Sequence, residues 1–337
     1  MPTVPVKLDS RSYDIHVERD ILGRAGGHLK AAGLEGHAAL ITDANVALHY
    51  SQRLKTVLEE AGYKVSTHLV PPGEQSKSMD QVQLLCRSLI EHHHDRSSFV
   101  VALGGGVIGD LAGFVASIFY RGVPYVQVPT SIVAQVDSSI GGKTGVNEPE
   151  GKNLIGSFHQ PRLVLADPDT LLTLPERVFR EGFAEVIKHA AIRDAGMLDH
   201  IASLDPNDQQ VDADLIARNA GIKAAIVEED EMETSGTRAL LNFGHTIGHA
   251  IEASAEYGTL LHGEAIALGM RAALFLSERV ADLSPDDSGR ILAVLTQWGL
   301  PLVLEGEPNN AAILACLARD KKFAAGRKRF VLLRRPG

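Results

Sequence analysis

The alternation of short apolar runs with amphipathic stretches over the first 175 residues is the feature that most restricts how this chain folds. Val4–Leu8 and Tyr13–Val17 alternate apolar and polar residues at period two, the pattern of half-buried edge strands. Ala38–Thr42, Lys64–Val70, Phe99–Leu103, Tyr125–Val128 and Leu163–Ala166 are short apolar runs, several of them β-branched, and read as buried strands. Helical patterns at Tyr50–Ala61, Met79–His92 and Ile108–Phe119 separate most of them. Such alternation requires a mainly parallel sheet with crossover helices. The rhythm changes at Pro175, which can open a helix with Thr173 as its cap. Beyond it, helices are expected over 176–203, 212–228, 243–255, 263–281, 285–298 and 309–319, with Arg329–Leu333 as a late strand candidate. The expected organisation is an α/β domain over 1–177 and a helical domain over 178–337. No low-complexity linker intervenes, so the halves should pack closely and share a cleft.

Charge and cysteine content narrow the classes of function. With 33 basic and 42 acidic residues the chain carries −9, a poor basis for non-specific binding to nucleic acid or an anionic membrane. Cys86 and Cys316 lack metal-site or redox spacing and are expected as small buried thiols in a reducing cytoplasm. The start MPTVPVKLDS has neither a basic n-region nor an apolar h-region, and no stretch reaches the length of a membrane span.

The strand at Phe99–Leu103 runs into Gly104-Gly105-Gly106-Val107-Ile108-Gly109-Asp110 and then an apolar helix. Read as Gly104-x-Gly106-x-x-Gly109, this is a strand–turn–helix fingerprint. Its glycines would permit positive φ and let backbone amides approach a pyrophosphate at the helix N-terminus. The acid that usually follows about twenty residues later is missing, since Pro129-Thr130-Ser131 occupies that region. Asp43, at the end of an earlier strand, is the best substitute. The glycines could instead serve helix–strand packing alone.

A second constellation lies in the helical half. His245 and His249 stand at i, i+4, a spacing that suits chelation of one ion. His262 follows a bend, and Glu185 sits among apolar neighbours in another helical stretch. Three protein ligands of mixed nitrogen and oxygen type would leave an open position for substrate oxygens. By contrast, His92-His93-His94 reads as a solvated run at a helix end, and Glu228–Glu233 as an exposed acidic helix end. The segments Gln135–Asn147 and Gly151–Gly156 are rich in glycine and small polar residues, and read as loops. Their Lys143, Asn147, Lys152 and Asn153 suggest an anion site.

Together these motifs resemble 3-dehydroquinate synthase, a family of the sugar-phosphate cyclase group. The resemblance runs in order through PGEQSKS ending at Ser78, GGGVIGDLAGFVAS from Gly104, and RGVPYVQVPTSIVAQVDSSIGGKTGVN from Arg121. It continues through GKNLIGSFHQP from Gly151, GFAEVIKH from Gly182, LNFGHTIGHAIE from Leu241, HGEAIALGM from His262, and DKK from Asp320. The resemblance implies a Rossmann-like N-terminal NAD domain, an all-α metal- and substrate-binding C-terminal domain, and a homodimer. It also implies conversion of 3-deoxy-D-arabino-heptulosonate 7-phosphate to 3-dehydroquinate and phosphate, with NAD used catalytically beside zinc or cobalt.

By motif, the resemblance makes Glu185, His245 and His262 the metal ligands and turns His249 towards substrate phosphate. NAD contacts are expected from Asp43, Glu74, Lys77, Gly105, Gly106, Val107, Ile108, Gly109, Asp110, Thr130, Ser131, Thr170 and Thr173. Lys143, Lys152 and Asn153 fall where substrate and cofactor meet. Lys188, Lys223, Arg238, Asn242 and Lys321 or Lys322 complete an anion cage. Asp137 assists proton movement, and Arg121 reaches a partner's site. Ser131 replaces a common threonine, and Phe183 and His189 stand where leucine and tyrosine are frequent. Three competing readings remain: another sugar-phosphate cyclase, a metal-dependent polyol dehydrogenase, and an NAD-binding structural or regulatory protein.

Overall fold

The structure, a computed structural model, describes residues 2–255, 259–304, 309–319 and 329–337. Its strands are β1 (Thr3–Val6), β2 (Tyr13–Val17), β3 (His37–Asp43), β4 (Lys64–Val70), β5 (Phe99–Gly104), β6 (Tyr125–Pro129), β7 (Lys143–Glu148), β8 (Gly151–Phe158) and β9 (Leu163–Ala166). The helices are α1 (Ala25–Ala31), α2 (Ala44–Val46), α3 (Gln52–Glu60), α4 (Met79–Glu91), α5 (Gly106–Ile118), α6 (Glu176–Arg193), α7 (Ala195–Ala202), α8 (Ala213–Glu229), α9 (His245–Ser254), α10 (His262–Val280), α11 (Pro285–Gln297) and α12 (Asn310–Arg319). The chain divides into two compact units, residues 1–174 with 210–232, and residues 175–209 with 233–337.

The first unit is built on a seven-stranded sheet in the order β1-β2-β9-β6-β5-β3-β4. It is parallel except for the β1–β2 pair. Successive side chains of a strand point to opposite faces, so each central strand feeds two cores. Ala39, Ile41, Val100 and Ala102 join a core with Leu85 and Leu89 of α4 and Leu111, Ala112 and Val115 of α5. Ala38, Leu40, Val101 and Leu103 face the other way, onto Leu29 of α1 and Leu54 and Leu58 of α3. This double burial is why the runs read as continuously apolar. After β3 the chain adds β4 on one side, then places β5 on the other. The carboxyl ends of β3 and β5 therefore form a topological switch point, where open α/β sheets bind ligands.

Residues 135–156 are more ordered than their composition suggests. Ala134–Ser138 forms a π-helical turn, and β7 and β8 pair as an antiparallel hairpin. Gly145 and Gly156 lie opposite each other. A Cβ on Gly145 would approach the Ile155 carbonyl to 2.5 Å, so the glycines permit close strand approach. The helix α8 packs on β1 and β2, and its acidic end is exposed at Glu228, Glu229 and Glu233, as expected, but not at Asp230. Glu228 accepts the Lys7 amide at 2.7 Å, Glu231 pairs with Arg11 at 2.7 Å, and Asp230 is buried.

In the second unit the expected 176–203 helix is broken at Asp194, whose side chain caps α7 by accepting the Met197 amide at 3.3 Å. The α6 helix has two working faces. Phe179 and Phe183 stand one turn apart, and Phe183 stacks on Trp298 with ring centroids 3.4 Å apart. The other face carries Glu181, Glu185 and Lys188. The late strand candidate Arg329–Leu333 is irregular backbone, tied to α10 where the Leu333 amide donates to Ser277 at 3.0 Å.

Candidate functional site

In the second unit Glu185 is fully buried on α6 and forms an ion pair with Lys188, one turn on and also buried. Two imidazoles approach the same carboxylate oxygen. His245 Nε2 lies 3.3 Å and His262 Nε2 lies 3.4 Å from Glu185 Oε1. Burial alone would raise the Glu185 carboxyl, but Lys188, His245 and His262 outweigh it and hold the group well below the usual carboxylate range. The remaining ring nitrogens are engaged. His245 Nδ1 donates to the Phe243 carbonyl at 3.1 Å, and His262 Nδ1 faces Glu252 at 3.4 Å. Both rings thereby present Nε2 to the carboxylate, an orientation that outer partners commonly impose on metal-binding histidines.

Local sequence explains the convergence. Gly244, with φ +79°, is the left-handed residue preceding α9 and places His245 at the first helical position. A Cβ on Gly248 would approach the Ala265 carbonyl to 2.8 Å, and one on Gly269 would strike the Gly244 carbonyl. These glycines let α9 and α10 cross backbone to backbone, which brings His245 to His262. The donor atoms of His245, His249 and His262 all lie within 4.8 Å of one another, so the three-histidine set suggested by spacing is brought together as well.

The residues fit a divalent cation. Glu185 offers a buried carboxylate, neither of whose oxygens has a hydrogen bond of ordinary geometry among the described residues. It converges with two imidazole nitrogens oriented from behind, a mixed donor set that suits zinc or cobalt rather than magnesium or calcium. Arg238 is buried and Asn242 lies on the same 3-10 turn, Thr237–Asn242. Lys321 and Lys322 fall outside the described residues.

In the first unit the glycine turn caps α5 at the end of β5. None of Gly104, Gly105, Gly106 and Gly109 has a positive φ, so conformational freedom is not the reason for them. Gly104 and Gly109 are required by packing, since a Cβ there would come within 2.7 Å of Ile108 and of Gln127 respectively. Gly105 is not: its Cβ would meet nothing nearer than Ser131 Oγ at 3.5 Å. That leaves a smooth backbone and the first amides of α5, which have no acceptors within the helix, open to an anionic ligand.

Beside this turn Lys77, only 4% exposed, binds Asp110 Oδ2 and Asn153 Oδ1, each at 2.6 Å. Burial raises the Asp110 carboxyl despite Lys77. Asn153 holds a left-handed φ of +54°, and its amide donates to Asn147 Oδ1 at 2.8 Å. Asn147 in turn donates to Glu74 Oε1 at 2.7 Å. Asp43 caps α2 by accepting the amides of Asn45 and Val46. Thr130 is buried, and the hydroxyl of Ser131 accepts the Ala134 amide at 3.3 Å. Thr170 receives the Gln135 amide group at 3.0 Å, and Thr173 meets the Tyr50 hydroxyl at 2.7 Å. On the π-helical turn Asp137 forms an ion pair with Lys223 at 2.5 Å, and Lys223 also donates to the Asp137 carbonyl at 2.7 Å. Lys143 and Lys152 are exposed on the hairpin. Arg121 is exposed too and follows Tyr120 in left-handed backbone, φ +69° after +48°.

Sequence reasoning singled out Asn147 only as part of an anion site, not as the link to Glu74, and overlooked three neighbours of the histidines: Arg177, Glu181 and Glu252. Glu252 carried a readable signal, because His245, His249 and Glu252 fall at i, i+4, i+7 on one helical stripe.

The family model for the 3-dehydroquinate synthase N-terminal region matches residues 67–181, and that for the C-terminal region matches residues 182–323. The chain belongs to the 3-dehydroquinate synthase family. A 3-dehydroquinate synthase of Pelobacter propionicus is 45% identical over 335 residues, covering 98% of this chain and 93% of that relative. Two solved cyclase structures share the fold. The 2-epi-5-epi-valiolone synthase of Streptomyces hygroscopicus, with NAD+ and Zn2+ bound, is 30% identical with a TM-score of 0.88, covering 98% of this chain and 92% of its own. A 2-deoxy-scyllo-inosose synthase, complexed with carbaglucose-6-phosphate, NAD+ and Co2+, is 25% identical with a TM-score of 0.88, covering 100% and 94%. The chain is a two-part protein of mostly parallel sheet and C-terminal helices. No helix among its described residues is long and apolar enough to cross a membrane.

Proposed function

We propose that this protein is a 3-dehydroquinate synthase, a lyase that converts 3-deoxy-D-arabino-heptulosonate 7-phosphate to 3-dehydroquinate and inorganic phosphate in the shikimate pathway. The observation that carries this reading is identity of 45% to a synthase of that name along 98% of the chain, against 25% and 30% to cyclases that form other carbocycles. The reaction proceeds by transient oxidation of a ring hydroxyl, β-elimination of phosphate, re-reduction, ring opening and intramolecular aldol closure. When bound, NAD accepts and returns the hydride, while the metal polarises the substrate hydroxyls.

The chain's own groups orient and balance charge. Glu185, His245 and His262 hold the metal, and Lys188 keeps Glu185 ionised despite its burial. The Phe243 carbonyl and Glu252 hold the two imidazoles with Nε2 forward. His249, Lys188, Arg238 and Asn242 bind substrate anions, with Lys321 or Lys322 as a further cation. In the first unit the turn Gly105–Gly109 takes the NAD pyrophosphate on its free amides, the Gly109 amide being bonded to the Gly105 carbonyl at 3.1 Å. Asp43, Glu74, Asp110, Thr130, Ser131, Thr170 and Thr173 line the remainder of the cofactor, and Lys77 fixes Asp110 and Asn153 there. Lys143, Lys152 and Asn153 meet the substrate, Lys223 supplies a further cation, and Asp137 relays a proton through water. The reading extends to a cytoplasmic homodimer in which Arg121 contacts the partner's site.

A phosphate-release assay tests the assignment. Release from the heptulosonate phosphate should require NAD+ and stop with chelator, and no NADH should accumulate at steady state. Release from sedoheptulose 7-phosphate alone would instead mark a different cyclase. NADH build-up with glycerol-like substrates would mark a polyol dehydrogenase.

A further inference from the structure

His262 is the first residue of α10, a position where helix amides lack acceptors within the helix and the backbone is least constrained. Here the amides on both sides of it end on carboxylates. The Leu261 amide donates to Glu264 Oε2 at 2.8 Å, and the Gly263 amide donates to Glu181 Oε2 at 2.6 Å. Glu264 is itself gripped by Arg177, Nε to Oε1 at 2.6 Å and Nη2 to Oε2 at 2.7 Å. The same Nη2 donates to the Thr259 carbonyl at 2.7 Å.

Arg177, Glu181 and Glu185 recur every fourth residue along α6 and so share a face. Glu185 meets the His262 ring, while the two residues preceding it in that series hold the backbone that carries the ring. Space is tight as well: a Cβ on Gly263 would strike the Glu181 carbonyl and come within 2.6 Å of its Oε2. Any side chain at that position would lever α10 away from α6.

We propose that Arg177, Glu181 and Glu264 are positioning residues for the metal site, forming a clamp that sets where His262 presents Nε2 to Glu185. The proposal rests on the reading of His262 as a metal ligand.

Cobalt(II) alone is the probe, titrated into metal-free protein and followed by its visible d–d absorption. Glu181→Ala should weaken cobalt binding about 10- to 100-fold and alter the d–d band, the range typical of lost outer-sphere support. Glu181→Gln keeps an acceptor oxygen for the Gly263 amide and should stay within about threefold of the parent. Arg177→Ala, at a half-exposed side chain, decides the matter if Glu181→Ala fails to fold, and should weaken binding several-fold. Parent-like affinity and band shape in Glu181→Ala and Arg177→Ala, beside loss of cobalt in His262→Ala, would overturn the clamp. Retention of cobalt by His262→Ala would overturn the ligand reading itself.

Discussion

At the scale of single residues, the histidines divide by what stands behind them. His245 reaches Glu185 while its other nitrogen is held by the Phe243 carbonyl, so His245→Ala should lose bound metal and turnover yet keep the fold. His249→Ala should retain most of its metal and lose kcat/KM. Metal content per chain beside steady-state kinetics separates the two variants. The helical i, i+4 spacing made both histidines legible but could not rank them, because the deciding carboxylate lies about sixty residues away in sequence. The reverse error occurred at His92-His93-His94. His93 ends α4 with a left-handed φ of +61° and turns His94 inward, where it is 3% exposed. There it bonds to Ser66 at 2.6 Å and stacks on His37, while Ser66 also holds His68 at 2.7 Å. No composition rule reveals a turn that buries the third member of a polar triplet. Burial, reinforced by His37, His92 and Lys64, drives His94 from 6.5 down to about 3, and burial with His92 and His37 takes His68 to about 4. Asp95 and His93 act on the stacked His37 with opposite signs. Below pH 6.5 the unfolded chain binds protons that the folded chain refuses, so stability is complete above that pH and falls as pH drops towards 4. The thermal midpoint should therefore decline steadily from pH 6.5 to 4.5, and His94→Asn should flatten that slope. An unchanged slope in the variant would contradict this account.

At the scale of elements, periodicity located most helices and strands to within a few residues, because each has one face or two turned to a core. It failed on the β7–β8 hairpin, whose glycines are placed for backbone approach and carry no side-chain pattern. The glycine turn was found for a reason that holds only in part: Gly104 and Gly109 serve packing, and Gly105 is the one that packing leaves unexplained. Gly248 and Gly269 went unnoticed, since helix glycines resemble weak propensity until the partner helix is seen. Gly269→Ala should cost about 1–3 kcal/mol, the usual range for overpacking, and should lower metal affinity by parting α9 from α10. Urea unfolding and metal titration on the same protein measure both effects. A loss of stability with unchanged metal binding would place the α9–α10 crossing outside the control of the site.

At the scale of the whole molecule, the net charge of −9 conceals how its cations are used. Lys77, Lys188, Lys223 and Arg238 are buried, so the bulk sum describes the surface rather than the sites. The path of the chain has a further consequence. It leaves the sheet unit after residue 174, builds α6 and α7, and returns through 210–232 to lay α8 against β1 and β2. Strands made among the first 17 residues therefore wait for a cover made some two hundred residues later. During synthesis the apolar face of Val6, Ile15 and Val17 stays open until α8 clears the ribosome. The sheet unit thus stays incomplete until residue 232 has been made, and no single cut of the chain frees it from the segment 175–209 of its neighbour.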